Sequence, residues 1–198
     1  MLNLEPDVNC VKNILPHESL KLLYFSFIHS HLTYCLPAWS SGTESSLISL
    51  FKTQKKCVRL ITKSKYNAHT APLFKKLGIL PLNKLSIFVK LNFFHEYING
   101  KLPVSFNGMW KRNFELRGGT RTLRNDNDFY IPIAKYKSIE NFPIYHFQKL
   151  WNQYCNGNNF ELLSKTKFRS VIKKALLNEL EINCTNTRCG ECNILRQI

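Results

Sequence analysis

The stretch Glu44-Ser-Ser-Leu-Ile-Ser-Leu-Phe51-Lys-Thr-Gln-Lys-Lys-Cys57-Val-Arg-Leu-Ile-Thr-Lys63 reads as one amphipathic helix with Thr43 as its N-cap. Stepping about 100° per residue places Leu50, Phe51, Gln54, Cys57, Val58 and Ile61 on one side. Lys52, Lys55, Lys56, Arg59 and Lys63 fall on the other, within about 60° of a single line down the helix. Lys65 continues the basic set. An ordinary solvated face mixes Lys with Glu four residues apart so that the charges pair, whereas this face offers cations alone. Like charges at that spacing destabilise an isolated helix, and a polyanion that offsets the repulsion is the expected partner. Lysines supply point charges rather than bidentate base readout. The expected mode is therefore backbone and shape recognition of RNA, DNA or an RNA–DNA duplex, with an A-form duplex well suited to it.

Working outward, apolar residues Leu20, Leu23, Tyr24, Phe27, Ile28, Leu32 and Cys35 predict a preceding helix over 18–35, with Pro37 stopping it and Trp39 in the turn. The short Ser40-Ser41-Gly42 loop favours an antiparallel helix pair. Downstream, Thr70 as N-cap, Pro72 in the first turn and Gly78 as the stop predict a short third helix. A fourth is expected over 82–99, ended by Gly100, with Leu85, Phe88, Val89, Phe93 and Tyr97 for the core. After Trp110 the pattern changes. Gly118, Gly119 and Thr120 read as a joint, and Phe129-Tyr130-Ile131 within 122–133 as a strand-like piece beside an Asn125–Asp128 turn. An aromatic segment over 144–154 and a last amphipathic helix over 165–180 follow. The fold expected is mainly α. A basic helical bundle over 1–115 precedes a smaller region over 116–198 with short strands, a C-terminal amphipathic helix and a cysteine-containing tail.

Charge points the same way. The net charge is +15, distributed as −2 over residues 1–44, +12 over 45–114 and +5 over 115–198. Between Glu44 and Glu96 there is no carboxylate, while ten Lys or Arg occur. A concentration of that kind is more than solubility asks for, so nucleic acid ranks first as partner and an anionic membrane surface second. With 44% hydrophobic and 13% aromatic residues, the chain has material for a packed core. The most apolar run, 20–36, is short and interrupted by Lys21, His29 and His31, so no membrane span is expected.

Seven scattered cysteines, with Glu5 and Asp7 where a signal peptide would be basic, predict a reducing, intracellular setting in nucleus or cytoplasm. Cys184, Cys189 and Cys192 have one pair at zinc-knuckle spacing but lack a fourth ligand. Reduced thiols are the plainer reading, with zinc as the one cofactor to consider. His31 and Cys35 share a helix face without a third ligand, and Asp126 and Asp128 sit in a turn with no strand to position them. No Gly-rich phosphate loop and no Ser/His/Asp grouping with helpful context appears. An enzyme acting alone is not expected.

Taken in order, the segments resemble the region after the polymerase palm in jockey-like, LINE-type (non-LTR) retrotransposon reverse transcriptases. The stretches that carry the resemblance begin with Leu15-Pro16-His-Glu-Ser-Leu-Lys-Leu-Leu-Tyr24, Ile28-His-Ser-His-Leu-Thr-Tyr34 and Trp39. Phe51-Lys-Thr-Gln-Lys-Lys-Cys57-Val-Arg-Leu-Ile-Thr62 and His69-Thr-Ala-Pro-Leu-Phe-Lys-Lys-Leu77 follow. Thr120-Arg121, Tyr130-Ile131-Pro132, Leu150-Trp151-Asn152 and Phe168-Arg-Ser-Val-Ile-Lys-Lys174 complete the series. The resemblance implies a thumb-like bundle that holds template and primer, with a polymerase palm as a second partner. The family's catalytic aspartate pair has no counterpart, since the sequence contains no Asp-Asp. The expectation is a non-catalytic fragment or remnant that does not copy RNA by itself. The alternative is a protein-interaction or structural helical domain, docking through the aromatic segment near Tyr145–Tyr154.

Overall fold

A computed structural model describes residues 14–41, 44–117, 123, 125–136, 139–140, 142–155 and 160–180. They group into two compact units, each assembled from separated stretches of chain. The first draws on 14–36, 44–85 and 173–180, and the second on 37–41 and 86–172. The division expected at 115/116 runs along the chain, whereas these units are interleaved.

In the first unit, helix α1 (His17–Leu23) widens into a π-helical turn (Tyr24–His29) and resumes as α2 (Ser30–Thr33). Thr33 Oγ1 donates back to the His29 carbonyl at 2.9 Å, within the turn where the ladder changes. The wider turn shifts the helical phase. Leu20, Tyr24 and Leu32 are buried as the 3.6 period expects, but Leu23 and Phe27 are exposed. Cys35 adopts the left-handed conformation at φ 49, and Pro37 lies inside the short helix α3 (Leu36–Trp39), most of which belongs to the second unit, instead of following a stop. Trp39 is correspondingly helical rather than part of a turn.

Helix α4 (Glu44–Ile61) carries the stretch read first, and α5 (Ala71–Leu77) follows it. Phe51 of α4 stacks on Phe74 of α5 at 6.3 Å between ring centroids. Gly78 ends α5 in the left-handed conformation at φ 64, as its sequence position predicts. The first turns of α6 (Leu82–Ile98) and the end of α9 (Lys165–Asn178) add Leu82, Leu85 and Leu176 to the buried set. Lys84 pairs with Glu179 at 2.5 Å.

The second unit is organised around Phe94, which is fully buried. Trp110 at 5.2 Å, Phe129 at 4.8 Å and Trp151 at 5.5 Å surround its ring. Tyr97 Oη donates to the Trp110 carbonyl at 2.9 Å, fixing the chain as it leaves α6. The unit's remaining elements are a 3-10 turn (Val104–Phe106), α7 (Asn113–Arg117), α8 (Pro143–Cys155) and a second 3-10 turn (Phe160–Leu162). The aromatic segment expected to dock a partner is α8. Its Phe147 and Trp151 are buried in the core, whereas Tyr145 and Tyr154 are half-buried and Ile144 is exposed.

The expected short strands are not present among the described residues. Phe129-Tyr130-Ile131 makes only an isolated antiparallel bridge, Arg112 opposite Phe129. The flanking bonds are Asn113 N–H to Asp128 C=O and Tyr130 N–H to Lys111 C=O, both at 2.9 Å. In that pairing the backbone groups of Phe129 point away from Arg112, toward where another strand would lie. The Asn152 side-chain amide takes that place, accepting from Phe129 N–H at 3.0 Å and donating to its C=O at 2.8 Å. Backbone groups satisfied by a helix side chain need no further ladder.

No single described helix is long and apolar enough to cross a membrane. The pair α5 and α6, bent by 46°, passes such a test together by length and composition, but Phe74, Leu77, Leu82, Leu85, Leu91 and Phe94 are buried within the protein.

Candidate nucleic-acid interface

The basic face of α4 is set by what the opposite face buries. Phe51, Gln54, Val58 and Ile61 are buried and Cys57 is half-buried, whereas Leu50, expected on this side, is exposed at 38%. Gln54 is wholly buried and fully engaged. Its Nε2 donates to Tyr24 Oη at 3.0 Å and to the Leu80 carbonyl at 2.9 Å, while its Oε1 accepts from Leu82 N–H at 2.8 Å. One amide thus ties α4 to the first helix and to the chain entering α6, which fixes how α4 is rotated. Burial pushes the Tyr24 phenol up to about 12 and the Cys57 thiol upward, so both stay neutral.

On the other side, Lys52 and Lys56 are exposed. Lys55 is half-buried, with its ammonium 4.3 Å from the centre of the Phe51 ring, so its stem lies along the helix while its charge stays at the surface. Arg59 is half-buried as well. Its Nε donates to the Ala68 carbonyl at 2.9 Å, so this residue fastens the following turn in addition to carrying charge.

Lys63 departs from helical spacing. Helix α4 ends at Ile61, and Lys63 adopts the left-handed conformation at φ 52. Lys63 N–H donates to Leu60 C=O at 3.0 Å and Ser64 N–H to Arg59 C=O at 2.9 Å, a paired closure of the helix end. The basic line therefore runs through Lys52, Lys55, Lys56 and Arg59 on the helix and continues through exposed Lys63 and Lys65 on its cap. Spacing along a helix could not find Tyr66, which stands highly exposed beside these two lysines. A hydrophobic ring in a Lys-rich turn was the available signal.

This arrangement places cations repeatedly along one rigid rod, with no carboxylate in the sequence from 45 to 95. Such a row can neutralise successive phosphates and release their counterions. Cys184, Cys189 and Cys192, the zinc candidates, lie outside the described residues. Among the described residues no group of three or more His, Cys, Asp or Glu is placed to hold a metal ion. His31 lies within α2, whereas Cys35 lies beyond its end in the left-handed conformation, so the two do not share one helix face. Asp126 is engaged by Arg117 at 3.0 Å in the turn where the sequence placed it.

Compared with known proteins, the chain matches no family model, no curated protein and no solved structure.

Proposed function

We propose that the chain is a non-catalytic nucleic-acid-binding module that grips a phosphate backbone through α4 and its cap, in the manner of the template-primer-holding thumb its sequence resembles. The observation that carries this reading is a helix whose buried face is fixed by Gln54 and whose other face holds Lys52, Lys55, Lys56 and Arg59, within a stretch, 45–95, whose sequence contains ten Lys or Arg and no Asp or Glu. Lysine-dominated contacts favour backbone recognition over base reading. Affinity for an RNA–DNA duplex is expected to fall by roughly 0.9 log units per log unit of salt for each of about four to six phosphates neutralised. Replacing Lys52, Lys56 and Lys65 together by Glu should abolish binding while leaving the melting transition in place. Arg59 is a poor choice for that test, because its bond to Ala68 makes loss of binding and loss of structure inseparable. Salt-independent binding by the wild type, or full binding by the triple variant, would sink the reading.

One observation favours a protein-interaction role as a second reading. Ile14, Leu22 and Phe27 in and just before the first helix are exposed at 78%, 68% and 63%. Apolar side chains this open suit a protein partner, for which a polymerase palm is the candidate the resemblance supplies. Sedimentation of a strict monomer that forms no complex with such a palm would remove it.

A further inference from the structure

The turn beyond α4 presents a ring that its own packing does not use. Tyr66 is 84% exposed and occupies the second position of a turn closed by Ala68 N–H to Lys65 C=O at 3.0 Å. Among the described residues its side chain has no hydrogen-bonding or ring partner. The turn itself is fixed at both ends. The left-handed cap at Lys63 sets its start, and Arg59 Nε holds the Ala68 carbonyl at 2.9 Å. Tyr66 is thus held out by an anchored turn, directly after the exposed Lys65 and three residues after the exposed Lys63, where the basic line of α4 ends.

An exposed π face that follows exposed lysines in the chain matches one feature of nucleic acid that α4 alone does not address. Lysines meet phosphates, and an accessible aromatic ring offers a surface on which a base stacks. Inside a duplex both faces of a base are already covered by its neighbours. We propose that Tyr66 is a stacking platform for an unpaired nucleobase, so that the preferred ligand of this surface includes a single-stranded segment whose phosphates lie on Lys63, Lys65 and the α4 lysines. This rests on the phosphate-gripping role of α4 and adds the class of nucleic acid it takes.

The test uses the full chain and two single-stranded probes of about 12 nucleotides, within the usual span of such sites: oligouridylate and an abasic strand of equal length. The abasic strand keeps the phosphates and lacks the bases. Tyr66→Ala should weaken oligouridylate binding roughly 5- to 150-fold, leave abasic binding and the salt slope unchanged, and be rescued by Tyr66→Phe. Equal affinity of wild type and Tyr66→Ala for oligouridylate would overturn the proposal, as would equal losses on both probes. A Tyr66→Phe variant as weak as Tyr66→Ala would replace stacking with a hydroxyl contact, and so overturn it too. So would Tyr66-dependent binding to phosphatidylserine vesicles with no binding to oligouridylate. If Lys52, Lys56 and Lys65 prove essential and Tyr66 does not, only the stacking proposal fails. If the wild type binds neither strand nor duplex, the phosphate grip falls with it.

Discussion

Replacing Gln54 by Met tests whether one buried amide fixes the rotation of the basic helix. The thioether approximates the glutamine's length and volume, so no large cavity is created and the change reports hydrogen bonding. Three groups lose their partner: the Leu80 carbonyl, the Leu82 N–H and the Tyr24 hydroxyl, now held at 2.9, 2.8 and 3.0 Å. Gln54 and Tyr24 are buried, as are Leu80 and Leu82, so water does not readily replace the lost bonds. At about 1–3 kcal/mol for each of the three unsatisfied buried groups, the expected destabilisation is about 3–9 kcal/mol. That is a large part of the roughly 5–15 kcal/mol a domain typically has. Urea melts at pH 7 followed by circular dichroism give the value directly. Tyr24→Phe alone should cost about 1 kcal/mol, since Gln54 keeps both backbone partners. In the Gln54→Met background the same substitution should cost almost nothing, because the hydroxyl has already lost its donor. A Gln54→Met cost below about 1 kcal/mol, or strictly additive single changes, would refute the reasoning.

Three other substitutions probe separate parts of the structure. Lys63→Gly should raise stability by about 0.5–1 kcal/mol, because glycine accepts the φ of 52 without strain. The same change should flatten the salt dependence of duplex binding by about 0.9 log units, and a destabilised variant in thermal melts would contradict the cap assignment. Lys90 is 3% exposed with its ammonium 3.1 Å from His146 Nδ1, and burial lowers its pKa from the usual 10.5 to about 8. Between those values the unfolded chain holds the proton more tightly than the folded one, so the penalty is full below pH 8 and fades as pH rises to 10.5. Lys90→Met should therefore be more stable than wild type by up to about 3 kcal/mol at pH 7, with the gap closing across that window. A gap constant with pH would show that the folded protein does not discharge Lys90. Asn152→Leu removes the amide that serves both backbone groups of Phe129, bonds of 3.0 and 2.8 Å. It should cost about 2–3 kcal/mol in a chemical melt, and a neutral result would mean that water replaces the amide.

Helix α4 was legible in the sequence because its two faces differ so sharply that one rotation fits both the apolar and the basic sets. Helix α6 was legible in its bounds, expected over 82–99 and observed as Leu82–Ile98, but its buried face was not, since Leu82-Asn-Lys-Leu-Ser-Ile-Phe-Val-Lys-Leu-Asn-Phe-Phe-His-Glu-Tyr-Ile98 is apolar on nearly every side. Periodicity selected Leu85, which is buried, together with Phe88, Val89, Phe93 and Tyr97, which are only half-buried, while the fully buried positions include Leu91 and Phe94, with Lys90 and His95 also inside. The His95 ring stacks on Phe168 at 4.2 Å, a long-range contact that no local pattern announces. The strand-like run at 129–131 misled for a related reason. Its pattern records one buried aromatic, Phe129, whose backbone is satisfied by a residue over twenty positions away. In the interface, Lys52, Lys55, Lys56 and Arg59 follow from spacing alone. The second role of Arg59, the left-handed Lys63 and the exposed Tyr66 all depend on the chain turning after Ile61.

The three helix ends that share one closure sharpen the reading of Lys63. At Gly78 and Gly100 the left-handed residue donates to a carbonyl three back, and the next residue donates five back. Lys63 and Ser64 make the same pair of bonds. Glycine is the residue this geometry favours, because any side chain meets its own backbone at positive φ. At two of the three ends the chain uses it. At the third, where the cap continues a line of cations, the position is lysine, at a conformational cost of about 1 kcal/mol. Stability alone argues against lysine at this position, and under the proposed function a phosphate beside it would supply the offsetting interaction. The same offset is what the row of like charges on α4 calls for, so under the proposed function one bound polyanion would account for both departures from the most stable sequence.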